Sequence, residues 1–486
     1  MKAISDIIAI FSEETKREFL QQLQKKNRRG DTKNIALFRL IDSGKTQDLD
    51  LQLYGKPSRN AYHALCKRLQ DNLIDFVASQ GFAGETSEEL DILKLLLASR
   101  IFFEHRQTKI AFKTLQRAER MARSLDIYSI LNEIYHTKIQ YAHLNPTIIL
   151  SEVITASREN RKRFEQEQQL NMAYASIKEQ LRNKPNRLIN EVITEAFMHF
   201  DIELDKALTY KSLFQLMNIT TTAARLQSDY HQISPFMMTI YGIISEKQEI
   251  ADKHLFYHIE ILNLMAHTSF RNKDFQASMA FTEQMETEMR KKNETYYNRF
   301  LERLTLIKSL NQNYTQQAET AIETLQSFPG ESLDIDLTLV TCLFQQRQFS
   351  EAYQVIRSMH HSDSWYEKKV GWIWVLKKNI IELLLLIELD KLELVLSRLQ
   401  SFKNRFFQRL KSIGEERVIN FIQLAAYVYE HPNEVSSEKF KERVENSFQW
   451  KEANREDIFV MSFYAWLKAK MQGKDLYQTT LELVNM

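Results

Sequence analysis

Glycine and proline are scarce in this 486-residue sequence, with 10 and 6 occurrences, where average usage is roughly 7% and 5%. A chain so poor in both has few tight β-turns, which excludes hairpin-rich sheets and sandwiches. It also has few places where backbone amides could cradle a phosphate. Cysteine is nearly absent. Cys66 and Cys342 stand far apart at apolar helical positions, so neither a disulfide framework nor a zinc site is expected, and a reducing compartment fits. Long apolar runs are missing too. The run at 7–11 is too short for a secretory segment, and residues 380–387 are crowded by Lys377, Lys378, Glu388 and Asp390, too close for a bilayer span. The net charge of +2 gives the whole molecule no bias toward nucleic acid or membrane, so any such bias is local. The expectation is a cytoplasmic protein with no membrane contact.

What is abundant points one way. Leu, Ile, Glu, Gln, Lys and Arg dominate, and most are good helix formers, so the chain reads as all-α. The stretch LTLVTCLFQQRQFSEAYQVIRSM (337–359) shows the unit. Leu339, Leu343 and Phe344 form one stripe. The polar turn Gln345-Gln346-Arg347-Gln348 follows, and Ala352, Val355, Ile356 and Met359 form the second stripe. Related helix pairs are expected at 259–270 with 275–289, at 299–310 with 314–325 around Asn311-Gln312-Asn313, and at 374–387 with 392–410. The residues closing their turns, Phe275, Tyr314, Phe349 and Leu392, recur at roughly 35 to 43 residues, the range of helical-pair repeats. Upstream, helices are expected at 88–106, 110–125, 127–143, 147–160 with Pro146 near its start, 170–181 and 188–205. The charged piece RENRKRFEQEQQ is expected to link 147–160 to 170–181.

DFQASMAF (274–281) and QFSEAYQV (348–355) carry a closer pattern, an aromatic after the turn and then a small residue, in Phe275/Ser278 and Phe349/Ala352. Ala266 fits the small position of a first helix. In this the chain resembles tetratricopeptide-repeat proteins over about residues 85–430, at the level of architecture. The resemblance implies an α-solenoid of antiparallel helix pairs and no residue-level function. The chain departs from the pattern where Val340 and Leu383 stand at small-residue positions, and where Met285 and Met359 replace a second one. No proline closes the units at a fixed offset. The 337–359 pair is therefore expected to pack less closely than a regular repeat.

The motifs for chemistry are missing. There is no GxGxxG, HExxH or CxxC. Ser43-Gly44-Lys45-Thr46 imitates the end of a phosphate loop, yet Arg39 stands where its first glycine belongs, so the reading is a helix end with a glycine cap. The adjacent His360 and His361 would point in different directions, so with Asp363 they read as a solvated turn rather than a metal site. His63 and Cys66 lie one turn apart, with Cys66 read as a small core residue. No catalytic constellation, cofactor or metal is expected, and the chain is not read as an enzyme.

Two stretches suggest binding. Residues 1–80 form a basic N-terminal module. From Lys16 to Arg39, eight Lys or Arg against Glu18 and Asp31 leave a local charge of +6. An apolar helix (Ile35, Leu37, Phe38, Leu40, Ile41), a short one (Leu49, Leu51, Leu53, Tyr54), a turn at Gly55-Lys56-Pro57 and a longer helix capped by Ser58 resemble a helix-turn-helix. In that reading Ser58, Arg59, Asn60 and His63 approach base edges. Lys25, Lys26, Arg28, Arg29, Lys33 and Lys67 approach phosphates, so nucleic acid would be held by residues 16–68. The alternative is a helical cap sealing the first repeat. The second stretch is the C-terminal third, rich in Trp365, Trp372, Trp374, Tyr427, Tyr429, Trp450, Phe459 and Trp466. Arg398, Lys403, Arg405, Arg409 and Lys411 follow one helix there. Arg398, Arg405 and Arg409 are the candidate partner contacts, since aromatics beside basic groups are what a solenoid surface uses to hold a peptide. The division expected is 1–80 module, 85–430 repeats and 431–486 capping helices. The function expected is a non-catalytic protein- or peptide-binding scaffold, with a nucleic-acid-binding regulator sensing a ligand through its solenoid as the alternative.

Overall fold

The computed structural model of the chain describes residues 2–9, 11, 13–26, 32–44, 48–84, 88–183, 189–202, 208–227, 230–247, 251–447 and 456–485. Among the described residues the structure is all-helical, with 26 α-helices packed in adjacent pairs and no strand. The chain divides into two compact units. One comprises residues 1–121 and 361–375, the other 122–360 and 376–486.

The second unit shows how the sequence makes each pair. Ser332 accepts a hydrogen bond from the Ile335 amide (3.3 Å) and Asp334 and Asp336 sit in the first turn, which satisfies an orphan donor and complements the helix dipole at the start of Leu333–Gln345. Ile335, Leu339, Val340 and Leu343 bury its inner face. The helix ends where Arg347 turns left-handed at φ 61° and the Gln348 amide donates to the Leu343 carbonyl (2.9 Å). Phe349–Ser358 then returns with Ala352 and Ile356 inward.

That turn recurs with Lys273, Gln316 and Asp390 in the left-handed position, the following amide donating to Ser269, Gln312 and Leu386 in turn. Helix ends of this type usually take glycine. In this glycine-poor chain an L-residue is held there, at a cost of roughly 1–2 kcal/mol. Arg347→Gly is therefore expected to stabilise the protein by about 0.5–1 kcal/mol, the relief of strain outweighing the added freedom of the unfolded chain. A rise in the urea midpoint checks this, and a fall contradicts it.

Neighbouring pairs are joined by buried side chains. Asn311 donates to Ser278 Oγ (2.8 Å), and Asn313 donates to Gln345 Oε1 (2.7 Å), at separations of 33 and 32 residues. Around them Arg303 pairs with Glu260 (2.6 Å), Lys308 pairs with Glu286 (3.0 Å), and Ser332 donates to Glu302 (2.6 Å). These bonds correct the turn expected at 311–313. Tyr297–Tyr314 continues through it, and Ala318–Gln326 starts only after Gln317. The asparagines looked like turn residues because they are polar. They are helical because their amides bond across to the adjacent pairs, and Tyr314 ends a helix rather than opening one.

A second correction concerns 147–181. The helix starts at Leu150, not at Thr147, and runs unbroken as Leu150–Asn183. Its charged middle is a helix of good formers facing water. Its first half is fixed by Asn160, whose amide donates to the Tyr128 carbonyl (3.0 Å). Its second half buries Leu170, Ala173, Tyr174, Ile177 and Leu181 in a core shared with Val192, Ile193, Leu213 and Leu216.

The last two helices do not continue the series in chain order. Ile458–Gln472 and Leu476–Val484 lie on the 255–326 pairs, with Ile458, Met461 and Val484 against Ala266, Phe270, Phe275, Ile307 and Tyr314. Tyr477 donates to the Asn313 carbonyl (2.6 Å), and Trp466 Nε1 donates to Glu388 (2.6 Å), whose carboxylate also pairs with Lys470 (2.8 Å).

The first unit has its own core. Lys2–Ala9, which overlaps the apolar run at 7–11, is a helix whose Ile4 and Ile8 are buried. With Phe11 and Phe19 they close over Leu37, Phe38, Leu65, Leu69, Leu73 and Phe76. Lys2–Ala9 also packs on Asp363–Val370, so a segment distant in sequence completes this unit.

Candidate nucleic-acid interface and partner-binding helix

In the N-terminal module Thr32–Asp42 and the short Leu49–Tyr54 lead into Arg59–Gly84. Gly55 caps the short helix at φ 67°, its amide donating to the Leu51 carbonyl (2.8 Å), and Pro57 forbids continuation. The turn is tied down on both sides. The Ser58 amide donates to Asp50 Oδ2 (3.2 Å), the Tyr54 hydroxyl donates to the Ala61 carbonyl (3.2 Å), and the Lys33 ammonium lies over the Tyr54 ring (3.9 Å). Leu65, Leu69, Leu73 and Phe76 bury one face of Arg59–Gly84. Arg59, Asn60, His63 and Lys67 are exposed. At spacings of four, Arg59, His63 and Lys67 make a stripe about 12 Å long.

The other candidate phosphate contacts are spread out. Lys33 is exposed but engaged with Tyr54, and Lys25 and Lys26 end the helix Glu13–Lys26. Arg28, Arg29, Lys45 and Thr46 lie outside the described residues, as does Trp450. Gly44, at φ 79°, follows the end of Thr32–Asp42, its amide donating to the Ile41 carbonyl (3.0 Å). Cys66 is half-buried against the module core while His63 faces solvent. Burial, then the nearby Cys66 thiol, pushes the Tyr62 phenol above its ordinary range. Cys342 is fully buried and its thiol is pushed up to about 12 by that burial, which keeps it protonated.

On Leu392–Ser412, Val395, Phe402, Phe406 and Leu410 are buried. Arg398, Arg405 and Arg409 share one flank of that stripe by their spacing. Arg398 donates to Glu382, which also pairs with the buried Lys378 (3.2 Å), so this arginine holds its own hairpin. Arg405 is half-buried and Arg409 exposed. Of the aromatics, Trp466 is core, Tyr427 donates to Glu434, and Tyr429 donates to Asp390 (2.9 Å). His361 stacks on Trp365 at 3.9 Å, and among the described residues no group of three His, Cys, Asp or Glu could hold a metal. Nor is any helix among them long and apolar enough to cross a membrane.

One polar cluster in the second unit was not anticipated, because its members are scattered from 126 to 291. Asp126, left-handed at φ 53°, accepts from the Tyr128 hydroxyl (3.2 Å) and faces His254 Nε2 at 3.6 Å. Burial alone would raise its carboxyl, but His254, Tyr128 and Arg163 outweigh it and hold it below the usual range. The His254 ring stacks on Tyr210 (5.1 Å), and His258 meets the edge of Tyr210 (6.2 Å). Burial lowers the His258 pKa, Lys291 adds to this, and Glu288 and Asp252 oppose it. A histidine held neutral contributes stability that is full above its unfolded pKa of about 6.5 and is lost as pH falls through the folded value. His258→Gln is thus expected to flatten the decline of the thermal midpoint below about pH 6.5. An unchanged slope contradicts the assignment.

The fold and these surfaces define an all-α chain of paired helices with a small N-terminal helical module presenting a partly basic helix face. Comparison with protein-family models, curated proteins and solved structures finds no match.

Proposed function

We propose that this chain is a non-catalytic protein- or peptide-binding scaffold, its paired helices stacked as an α-solenoid similar to tetratricopeptide repeats. The observation that carries the reading is the neighbour-to-neighbour bonding of successive pairs through Ser278–Asn311 and Asn313–Gln345 at separations of 33 and 32 residues. Such stacking makes a long continuous surface, and repeat arrays use that surface to bind. The step from fold to binding is by analogy. Arg405 and Arg409 are the groups on Leu392–Ser412 that would meet the carboxylates of a bound peptide. The test is selection from a displayed random-peptide library, read against Arg405→Ala and Arg409→Ala.

A second reading is favoured by a different observation, the exposed stripe Arg59, Asn60, His63 and Lys67 on the helix that follows a tied turn. In it the module binds nucleic acid and the paired helices sense a ligand. The salt dependence of duplex binding tests it.

A further inference from the structure

Thr108–Ser124 has an outer face of one charge sign. Ala111, Leu115, Ala118 and Ala122 bury its inner side. Opposite them Lys109, Lys113, Arg117 and Arg120 are exposed, and by helical spacing they share an arc of about 80° along roughly 16 Å. Among the described residues none of the four has a hydrogen bond, ion pair or ring contact. The one acid of this helix, Glu119, is buried away from them. Exposed helix faces are normally laced with both signs, and like charges three or four residues apart repel. The stripe therefore costs the helix stability, and no described residue offsets it. The neutral balance of the whole chain conceals it.

Large aliphatic side chains are left uncovered with it. Ile110, 48% exposed, shares a helical row with Lys113 and Arg117. The preceding helix of the same compact unit, Glu88–Glu104, leaves Leu93, Leu97 and Ile101 41%, 54% and 43% exposed. Glu104, the exposed acid between the two helices, is followed at once by the exposed His105 and Arg106.

We propose that this stripe holds the first unit against an anionic lipid surface as a peripheral contact. Four cations along the outermost line of one helix can all meet a plane of headgroups together, and each adds to the attraction. The uncovered aliphatics decide among polyanions. The interfacial zone of a bilayer takes apolar side chains beside basic ones, whereas a nucleic-acid backbone is met through polar and charged groups. A protein interface depletes charge at its centre and favours aromatics, and this arc holds four cations and no aromatic. The contact requires no spanning helix. It is independent of what the module or the paired helices bind.

Co-sedimentation of the full chain with vesicles tests it. With about one third phosphatidylserine in phosphatidylcholine, four cations imply a partition coefficient on the order of 10³ M⁻¹, so about half the protein pellets at roughly 1 mM accessible lipid. Pure phosphatidylcholine is expected to leave it in solution, and about 0.5 M salt to release it from the anionic vesicles. Lys113→Gln combined with Arg117→Gln is expected to lower the coefficient roughly 30-fold, with an unchanged helical circular dichroism spectrum. Lys403→Gln combined with Lys439→Gln, at two exposed lysines of the second unit, is expected to leave it unchanged. A chain that ignores anionic vesicles overturns the proposal, as does equal binding to neutral ones. So does a Lys113 and Arg117 variant that binds like wild type, or a Lys403 and Lys439 variant that loses as much. An oligoglutamate peptide or a duplex held through Lys113 and Arg117 while vesicles stay free overturns it as well, and assigns the stripe to a protein or nucleic-acid partner.

Discussion

Asp457→Ala is expected to destabilise the second unit by about 3 kcal/mol. The carboxylate has two tasks. It caps Ile458–Gln472, accepting from the Phe459 amide (2.9 Å), and it receives Arg271 from a helix end 186 residues earlier. Loss of a cap costs about 1 kcal/mol. Removing one member of a buried pair costs roughly 3–5 kcal/mol because the other charge is stranded. Here that is discounted, since Arg271 keeps some solvent and lies over the Tyr230 and Phe459 rings at 4.7 and 5.0 Å. The neighbouring Glu456 is buried and receives Arg417 (3.1 Å), so the start of this helix is held by two arginines from separate elements. Asp457→Asn retains the capping oxygen and loses the charge, and should fall between wild type and alanine. Urea unfolding of the three proteins checks the order. An alanine variant within 0.5 kcal/mol of wild type, on the order of ordinary surface changes, contradicts the docking of the C-terminal helices described above.

The second large effect concerns the module. If Arg59, Lys67, Lys33 and one further basic group neutralise four phosphates, the affinity for a mixed-sequence duplex of about 30 base pairs falls roughly 150-fold between about 50 and 200 mM salt. Arg59→Ala and Lys67→Ala are each expected to shallow the log–log salt slope by about 1, whereas Asn60→Ala changes preference among sequences rather than the slope. Fluorescence anisotropy reads all four proteins. Binding that is flat in salt, or absent at 50 mM, contradicts the nucleic-acid reading and leaves the module as a structural element.

Much of the fold was legible because its signals are local. The 3.6-residue stripes around Leu343 and Ile356, the polar turn at Arg347 and the Pro57 break each act within a few residues. Helix ends were misread where tertiary bonds overrule local chemistry. Asn311 and Asn313 look like turn formers until Ser278 and Gln345 are beside them, and the charged run after Asn160 looks like a linker until Asn160 is seen bonded to Tyr128 and Leu170–Leu181 buried in a core. The left-handed backbone at the ends of these helices carries no local signal, since Lys273, Gln316, Arg347 and Asp390 stand where glycine would announce it. Of the candidate sites, the stripe Arg59, Asn60, His63 and Lys67 follows from helical spacing alone. The pairing of Arg398 with Glu382 and the Asp126–His254 cluster arise from contacts between separate helices, which no single stretch encodes.

The central claim is that the paired helices form a binding surface to which Leu392–Ser412 contributes. Selection of a displayed random-peptide library on the immobilised full chain tests it most directly. A related set of peptides is expected to emerge, to compete with one another, and to lose at least tenfold in affinity on Arg405→Ala combined with Arg409→Ala. No enrichment, or peptides that bind the double variant as well as wild type, would contradict it.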